Sequence, residues 1–372
     1  MTLPGLSKPA LAGRTNIPGL DGIRGLAVLI VFIFHAEILP HVPGELATTA
    51  FFFLSGFLIT TLFQREWKKT GSIDLGNFYF RRAMRILPPL YIVLSVALLA
   101  HFKGHVGEPL IAWKTAGNFF QYTNYALTLT QDGAGFLPGM ILLWSLAVDE
   151  HYYLFWAPFM RFGLSKLTSQ GMIRIVAGVC VAALLWRMFL IHQIGDATFR
   201  VSMATDTRLD SILWGALLAL WRNPANEPAR AAWMAKPWFV AIGLILVLGP
   251  SFTGNDTFKC TWGYTLEAIG FFPLFTIAVL QGGKGFLKFL HWPWLLWMSR
   301  ISYSFYLFSW FMLSVSRKFV HGPNLLIVGT AFVATLCLAS AMHLAVERPL
   351  MALRKRKRAE VISAIPALAK AS

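Results

Sequence analysis

Three constellations in the 372-residue chain bring together side chains able to do chemistry. Arg24 and His35 are the first. On an α-helix, eleven steps of 100° end about 20° past three full turns, so both side chains lie on one face. They stand about 16 Å apart along the axis. With Arg24 at a membrane boundary, His35 falls near the middle of an apolar core about 30 Å thick. An ionisable group at that depth is costly and reads as functional by default. A ring hydrogen-bonded to a neighbouring helix as packing glue reads equally well. Arg82 and Arg85 are the second pair. Spaced i, i+3, they share a helix face. Two guanidinium groups beside a membrane surface suit phosphate, which arginine grips in a bidentate fashion. Snorkelling arginines on an interfacial helix are the plainer alternative. Pro88 and Pro89 are expected to end that segment before the next membrane run. Asp149, Glu150 and His151 form the third group. Asp149 lies about 7 Å below the start of its run, a depth that calls for a partner or a water-filled cavity. A salt bridge to Arg187 or Arg208 is the simpler account.

Weaker signals are Arg208 with Asp210, Ser302-Tyr303-Ser304, Ser55-Gly56 and Glu347-Arg348-Pro349. Small and hydroxyl residues in apolar runs more often pack helices than attack substrates. Ser55 has no acid or His near it in sequence, and Glu347 reads as one half of a helix-end ion pair. No P-loop, metal-ligand spacing or dinucleotide fingerprint is present. Cys180, Cys260 and Cys337 offer no disulfide framework.

The elements that must position these residues are apolar. Of all residues 56% are hydrophobic and 13% are Asp, Glu, Lys or Arg, against about 25% charged in an average soluble protein. An ordinary soluble globule, a disordered chain and a disulfide scaffold are excluded. Apolar runs occur at 23–39, 48–63, 87–101, 144–161, 173–192, 209–221, 238–250, 266–280, 300–316 and 325–346. They predict an all-α polytopic transmembrane bundle of about ten helices. Arg24 and His35 within the first run argue for a retained helix rather than a cleaved signal. With the N-terminus inside and strict alternation, 25 of the 33 Lys and Arg fall on the inner side. The positive-inside rule then puts both termini in the cytoplasm. The domain reading is a cytoplasmic segment 1–16, a membrane domain 17–350 and a basic cytoplasmic tail 351–372. The formal charge of +16 is thereby mostly topology, and nucleic acid is not expected as a partner. The stretch 102–143 is expected outside. Its Trp113, Asn118, Gln121 and Asn124 suit either a sugar ring or a membrane interface.

Taken in order, these motifs resemble the acyltransferase-3 family of integral membrane acyltransferases. The resemblance covers about residues 17–350. It rests on Leu20-Asp21-Gly22-Ile23-Arg24-Gly25 with His35, on Phe51-Phe52-Phe53-Leu54-Ser55-Gly56, and on Arg82 and Arg85 with their prolines. Trp144-Ser145-Leu146, Arg208-Leu209-Asp210 and Ile301-Ser302-Tyr303-Ser304 complete it. It implies acyl transfer from cytoplasmic acyl-CoA, most often acetyl-CoA, to an acceptor hydroxyl. The family's essential His falls on His35 and its motif partner on Arg24. Arg82 and Arg85 fall on the donor-binding pair, and Arg24 is placed with them as a donor-binding residue. Asp149 and Glu150 take the acidic catalytic position, where many relatives carry Glu. Arg208, Asp210 and Tyr303 are expected to bind substrate. Many relatives also carry a His shortly after the Ser-Tyr motif; Ser309 stands near that place, and no second catalytic His is assigned. No metal is expected. The tail leaves no room for the hydrolase-like domain appended in some members. The expected setting is the bacterial inner membrane, and the expected partners are acyl-CoA, a cell-surface or lipid-linked glycan and the bilayer. A macrolide or lipid acceptor, a proton-coupled transporter or flippase, and a non-catalytic partner in glycan assembly are the rival readings. A homo-oligomer is left open.

Overall fold

The computed structural model describes residues 17, 19–39, 44–104, 109–195 and 197–352. The expected cytoplasmic segment 1–16 and the basic cluster 354–358 lie outside the described residues. The described residues form helices and no strand. In chain order these are α1 (Leu20–Ala36), α2 (Gly44–Thr70), α3 (Leu75–Phe102), α4 (Ala112–Phe120), α5 (Thr123–Thr130), α6 (Leu143–Lys166), α7 (Ser169–Ile194) and α8 (Thr198–Met203). There follow α9 (Thr205–Trp221), α10 (Pro228–Ala231), α11 (Pro237–Phe252), α12 (Asp256–Phe258), α13 (Tyr264–Gln281), α14 (Pro293–Phe319) and α15 (Asn324–Met342). A π-helical turn at Lys259–Gly263 leads into α13, and another at His343–Glu347 follows α15.

Each apolar run lies on a helix, but fewer helices meet the demands of a bilayer. Five stretches are long and apolar enough to cross: Gly44–Thr70, Leu75–Phe102, Ser169–Ile194, Asp256–Gln281 and Asn324–Ala352. A sixth is reached if Pro228–Ala235 and Pro237–Phe252, bent by 70°, count as one span. α1 and α9 have 17 residues each, about 26 Å of helix against a core of about 30 Å. α6 is long enough, but Asp149, Glu150 and His151 dilute its apolar character. The chain is thus a helical membrane protein with five or six clear spans.

The chain divides into two compact units. One comprises Met1–Ile73, Gln121–Gly133 and Leu143–Ser299, the other Asp74–Phe120, Ala134–Leu142 and Arg300–Ser372. In lipid, helix association depends on close van der Waals contact more than on the hydrophobic effect. The first unit shows this along α2 and α9. A Cβ on Gly56 would collide with the carbonyl of Ile212, and one on Gly215 with the carbonyl of Phe53. Both glycines are therefore fixed by backbone approach. Phe53 then meets α13, with its ring centroid 5.6 Å from Phe271 and 4.6 Å from Phe275.

In the second unit, α3 buries Leu90, Val93, Leu94 and Ala97, the i, i+3, i+4, i+7 stripe of an amphipathic helix. The prolines do not end this helix, contrary to expectation: Pro88 and Pro89 lie inside α3. They cannot donate to the carbonyls one turn back. That leaves the Met84 and Arg85 carbonyls without their helical donors; one residue on, the Tyr303 hydroxyl donates to the Ile86 carbonyl at 2.9 Å. One amide in the expected external stretch, Asn118, holds backbone instead of facing outward. Asn118, fully buried, donates to the Met140 carbonyl at 3.2 Å and accepts from the Leu137 amide.

Candidate active site

The expected site residues divide between the two units. His35, Arg24, Asp149, Glu150, Arg208 and Asp210 belong to the first; Arg82, Arg85 and Tyr303 belong to the second.

In the first unit, α1 is unbroken from Arg24 to His35, so the eleven-step spacing does place both on one stripe. Arg24 is 3.5 Å from Asp21, three residues earlier. His35 occupies the last turn, half-buried, just before Glu37 ends the helix in the left-handed region. α2 presents Ser55 to α6, and its hydroxyl donates to Asp149 Oδ2 at 3.4 Å. The acid that Ser55 lacks in sequence therefore arrives from another helix. No His stands between the two in this contact, so it does not form a Ser–His–acid relay. His151, two residues on and on the opposite side of α6, is 2.7 Å from the Thr205 hydroxyl, which accepts from Asn124 at 2.8 Å. Tyr125 lies against the same ring, with centroids 6.0 Å apart. Burial first, and then the charge of Asp206, push the Tyr125 phenol above its usual range, so it is a hydrogen-bond donor at neutral pH.

The two buried arginines do not pair with Asp149. Arg187 meets Asp210 at 2.7 Å, with both side chains fully buried. It also donates to the Thr207 carbonyl and to Thr265 Oγ1, each at 2.7 Å. Asp210, expected to bind substrate, is held inside this network and has no exposure to a ligand. Arg208 is 1% exposed. It donates to Thr49 Oγ1 at 3.0 Å and lies flat over Tyr264, 3.6 Å from the ring centroid.

In the second unit, Arg82 is half-buried and Arg85 exposed on α3. The Tyr303 bond to Ile86 brings the Ser-Tyr motif of α14 beside that turn. Next to Tyr303, the buried Ser304 donates to Glu347 Oε1 at 2.5 Å, and His343 Nδ1 is 2.8 Å from Glu347 Oε2. Glu347 is thus a shared carboxylate, not half of an ion pair with Arg348. That contact fixes the orientation of the His343 ring through Nδ1. The i, i+4 spacing of His343 and Glu347 was the available sequence signal. Glu267 on α13 is a further residue that sequence reasoning missed. It is fully buried, and an acid inside the run 266–280 was its signal. Among the described residues no group of His, Cys, Asp and Glu is arranged to hold a metal.

Comparison with known proteins bears on what these clusters do. A model of the family described as "Acyltransferase domain" matches residues 17–344. A Staphylococcus aureus (strain COL) protein named as a candidate O-acetyltransferase is 30% identical over 324 residues, 82% of this chain and 51% of its own length. The Listeria monocytogenes peptidoglycan O-acetyltransferase OatA is 31% identical over 215 residues, 55% of this chain and 34% of its own. The O-acetyltransferase OatA of S. aureus NCTC 8325 is 29% identical over 319 residues, 82% of this chain and 52% of its own. The chain spans about half the length of the S. aureus relatives it matches. No solved structure matches it. With the Arg24–His35 stripe, the Arg82–Arg85 pair and the Ser-Tyr motif all inside the matched region, this chain belongs to the acyltransferase-3 family.

Proposed function

We propose that the protein is an O-acetyltransferase of the bacterial inner membrane. It moves an acetyl group from cytoplasmic acetyl-CoA to a hydroxyl of an envelope glycan, with both termini in the cytoplasm. The observation that carries this reading is the Arg24–His35 stripe on one unbroken helix within a family-matched domain. The Listeria relative, a peptidoglycan O-acetyltransferase, supports a peptidoglycan hydroxyl as the acceptor class. Arg82 and Arg85 hold the CoA phosphates, a role suited to paired guanidinium groups. Neutral His35 takes the proton of the acceptor hydroxyl while its oxygen attacks the thioester carbonyl. The new C–O bond forms, the C–S bond breaks, and the CoA thiolate leaves and is protonated. In the covalent version His35 Nε2 or Nδ1 carries the acetyl group between the two steps.

The test is transfer of labelled acetyl from acetyl-CoA in proteoliposomes. His35→Ala is expected to fold and to lose at least 100-fold in kcat; full activity in that variant overturns the proposal. Arg82→Ala and Arg85→Ala are expected to raise the donor KM about tenfold while leaving the acceptor KM alone. Solute movement without CoA release would identify a transporter instead.

A further inference from the structure

The first unit carries a surface that acyl transfer through His35 does not use, on the connection from α13 to α14. The apolar span that contains α13 ends at Gln281, so the residues after it lie at the edge of the bilayer. Gly283, at φ 93°, turns the chain there, and the Lys284 amide donates to the Gln281 carbonyl at 2.9 Å. A 3₁₀-helix follows at Gly285–His291. It has three residues per turn, so residues i and i+3 stand one above the other.

Three faces result. Leu287 and Leu290 are buried and form one cluster with Leu295, Ala278 and, from α1, Ile23 and Leu29. Phe286, Phe289 and Trp292 share the second face, with Phe286 74% and Trp292 53% exposed. Lys288 and His291 share the third. The His291 ring folds back over Gly282 and Gly283, which leaves Lys288, with Lys284 just ahead of the helix, as the exposed cations. The buried face is locked in place: a Cβ on Gly22 would collide with the Leu290 carbonyl, and one on Gly25 with the Leu295 carbonyl. Held to α1 backbone against backbone, the segment cannot roll to bury its aromatic or cationic face.

Composition selects the occupant. Residues 282–299 hold two lysines, no Asp or Glu, and three of the chain's 14 tryptophans. Those three, Trp292, Trp294 and Trp297, are all exposed. The acid on the adjoining turn of α1, Asp21, is already engaged by Arg24. Exposed indoles at the end of a span sit at headgroup level, and lysines there lay their stems along apolar surface with the ammonium in the polar layer. A zwitterionic headgroup brings its own cation beside its phosphate; an anionic phosphodiester brings none and leaves its charge for the lysines. We infer that Lys284 and Lys288, together with Phe286, Trp292 and Trp294, form a binding surface for an anionic phospholipid headgroup. The inference goes beyond the acyltransferase reading and does not depend on it.

The test is lipid retention by the purified full chain in detergent, read by native mass spectrometry during titration with phosphatidylglycerol or with phosphatidylcholine of equal chain length. A lysine near an anionic surface contributes about fivefold in affinity, so the tightest-bound phosphatidylglycerol is expected to bind at least tenfold better than phosphatidylcholine. The double variant Lys284→Gln, Lys288→Gln is expected to cut that preference below threefold, and Lys284→Arg, Lys288→Arg to keep it. Lys166→Gln, at an exposed cation that ends α6, is expected to leave it unchanged. Equal binding of the two lipids overturns the inference, as does a preference that survives the double Gln variant. Release of the lipid by millimolar diphosphate would assign the lysines to a soluble phosphate and overturn it. A dimer that disappears in the double Gln variant, in place of lipid retention, would assign the surface to a second copy of the chain and overturn it as well.

Discussion

At the scale of single residues, buried charge holds structure where it is fully paired. Arg187 shows this: its guanidinium meets Asp210, Thr207 and Thr265 with no exposure to solvent. Removing one member of such a pair strands the other charge, at a cost of about 3–5 kcal/mol. Arg187→Ala is therefore expected to lose that much stability in chemical denaturation of the detergent-solubilised protein. An unaffected midpoint would show the pair to be dispensable. Spacing within one helix was legible in the sequence, because periodicity is local. Arg24 with His35 and Arg82 with Arg85 needed nothing else. Contacts between distant segments were not. Ser55 finds Asp149 ninety-four positions away, and Ser304 finds Glu347 forty-three positions away. Nothing in either local pattern encodes those meetings.

At the scale of elements, one expectation failed and another is met only in part, both for physical reasons. Proline predicts a break because it removes a donor, yet α3 passes through Pro88 and Pro89 with Tyr303 bonded to the neighbouring Ile86 carbonyl. Apolar runs predict ten spans; five or six stretches meet the length and apolarity of a crossing, and α1, α6, α9 and α14 fall outside that set. The α2–α9 seam gives the sharpest mutational contrast. Gly56→Ala or Gly215→Ala puts a methyl group into backbone and is expected to cost on the order of 1–3 kcal/mol. Gly178→Ala, in the middle of α7 with nothing within 4 Å of the added carbon, should instead stabilise by about 0.5–1 kcal/mol. Thermal unfolding of the three variants in one detergent decides it; a destabilised Gly178→Ala with a neutral Gly56→Ala would refute the packing account.

At the scale of the whole molecule, helical character and a membrane setting were legible because they follow from composition. Crossing number was not, since a buried helix and a spanning helix share one apolar signature. Topology can be measured directly. In a Cys337→Ser background, which keeps only the buried Cys180 and Cys260, cysteines introduced at Lys103 and Lys318 are expected to react with a membrane-impermeant maleimide added to spheroplasts. Cysteines at Arg230 and Lys284 are expected to react only after permeabilisation. Labelling of Arg230→Cys from outside would reverse the inferred sidedness. Whatever the crossing number, the reciprocal glycines have a consequence for alignment. A seam closed by backbone against backbone has one register: a slide of a single residue would bring Ser55 or Phe57 into the slot that only hydrogen fits. α2 and α9 are therefore indexed to each other like the teeth of a ratchet. Thr49 and Arg208, two turns from the seam's glycines on their respective helices, inherit that offset. Thermal breathing can part the side chains along the seam, but it cannot change which residues face each other across it.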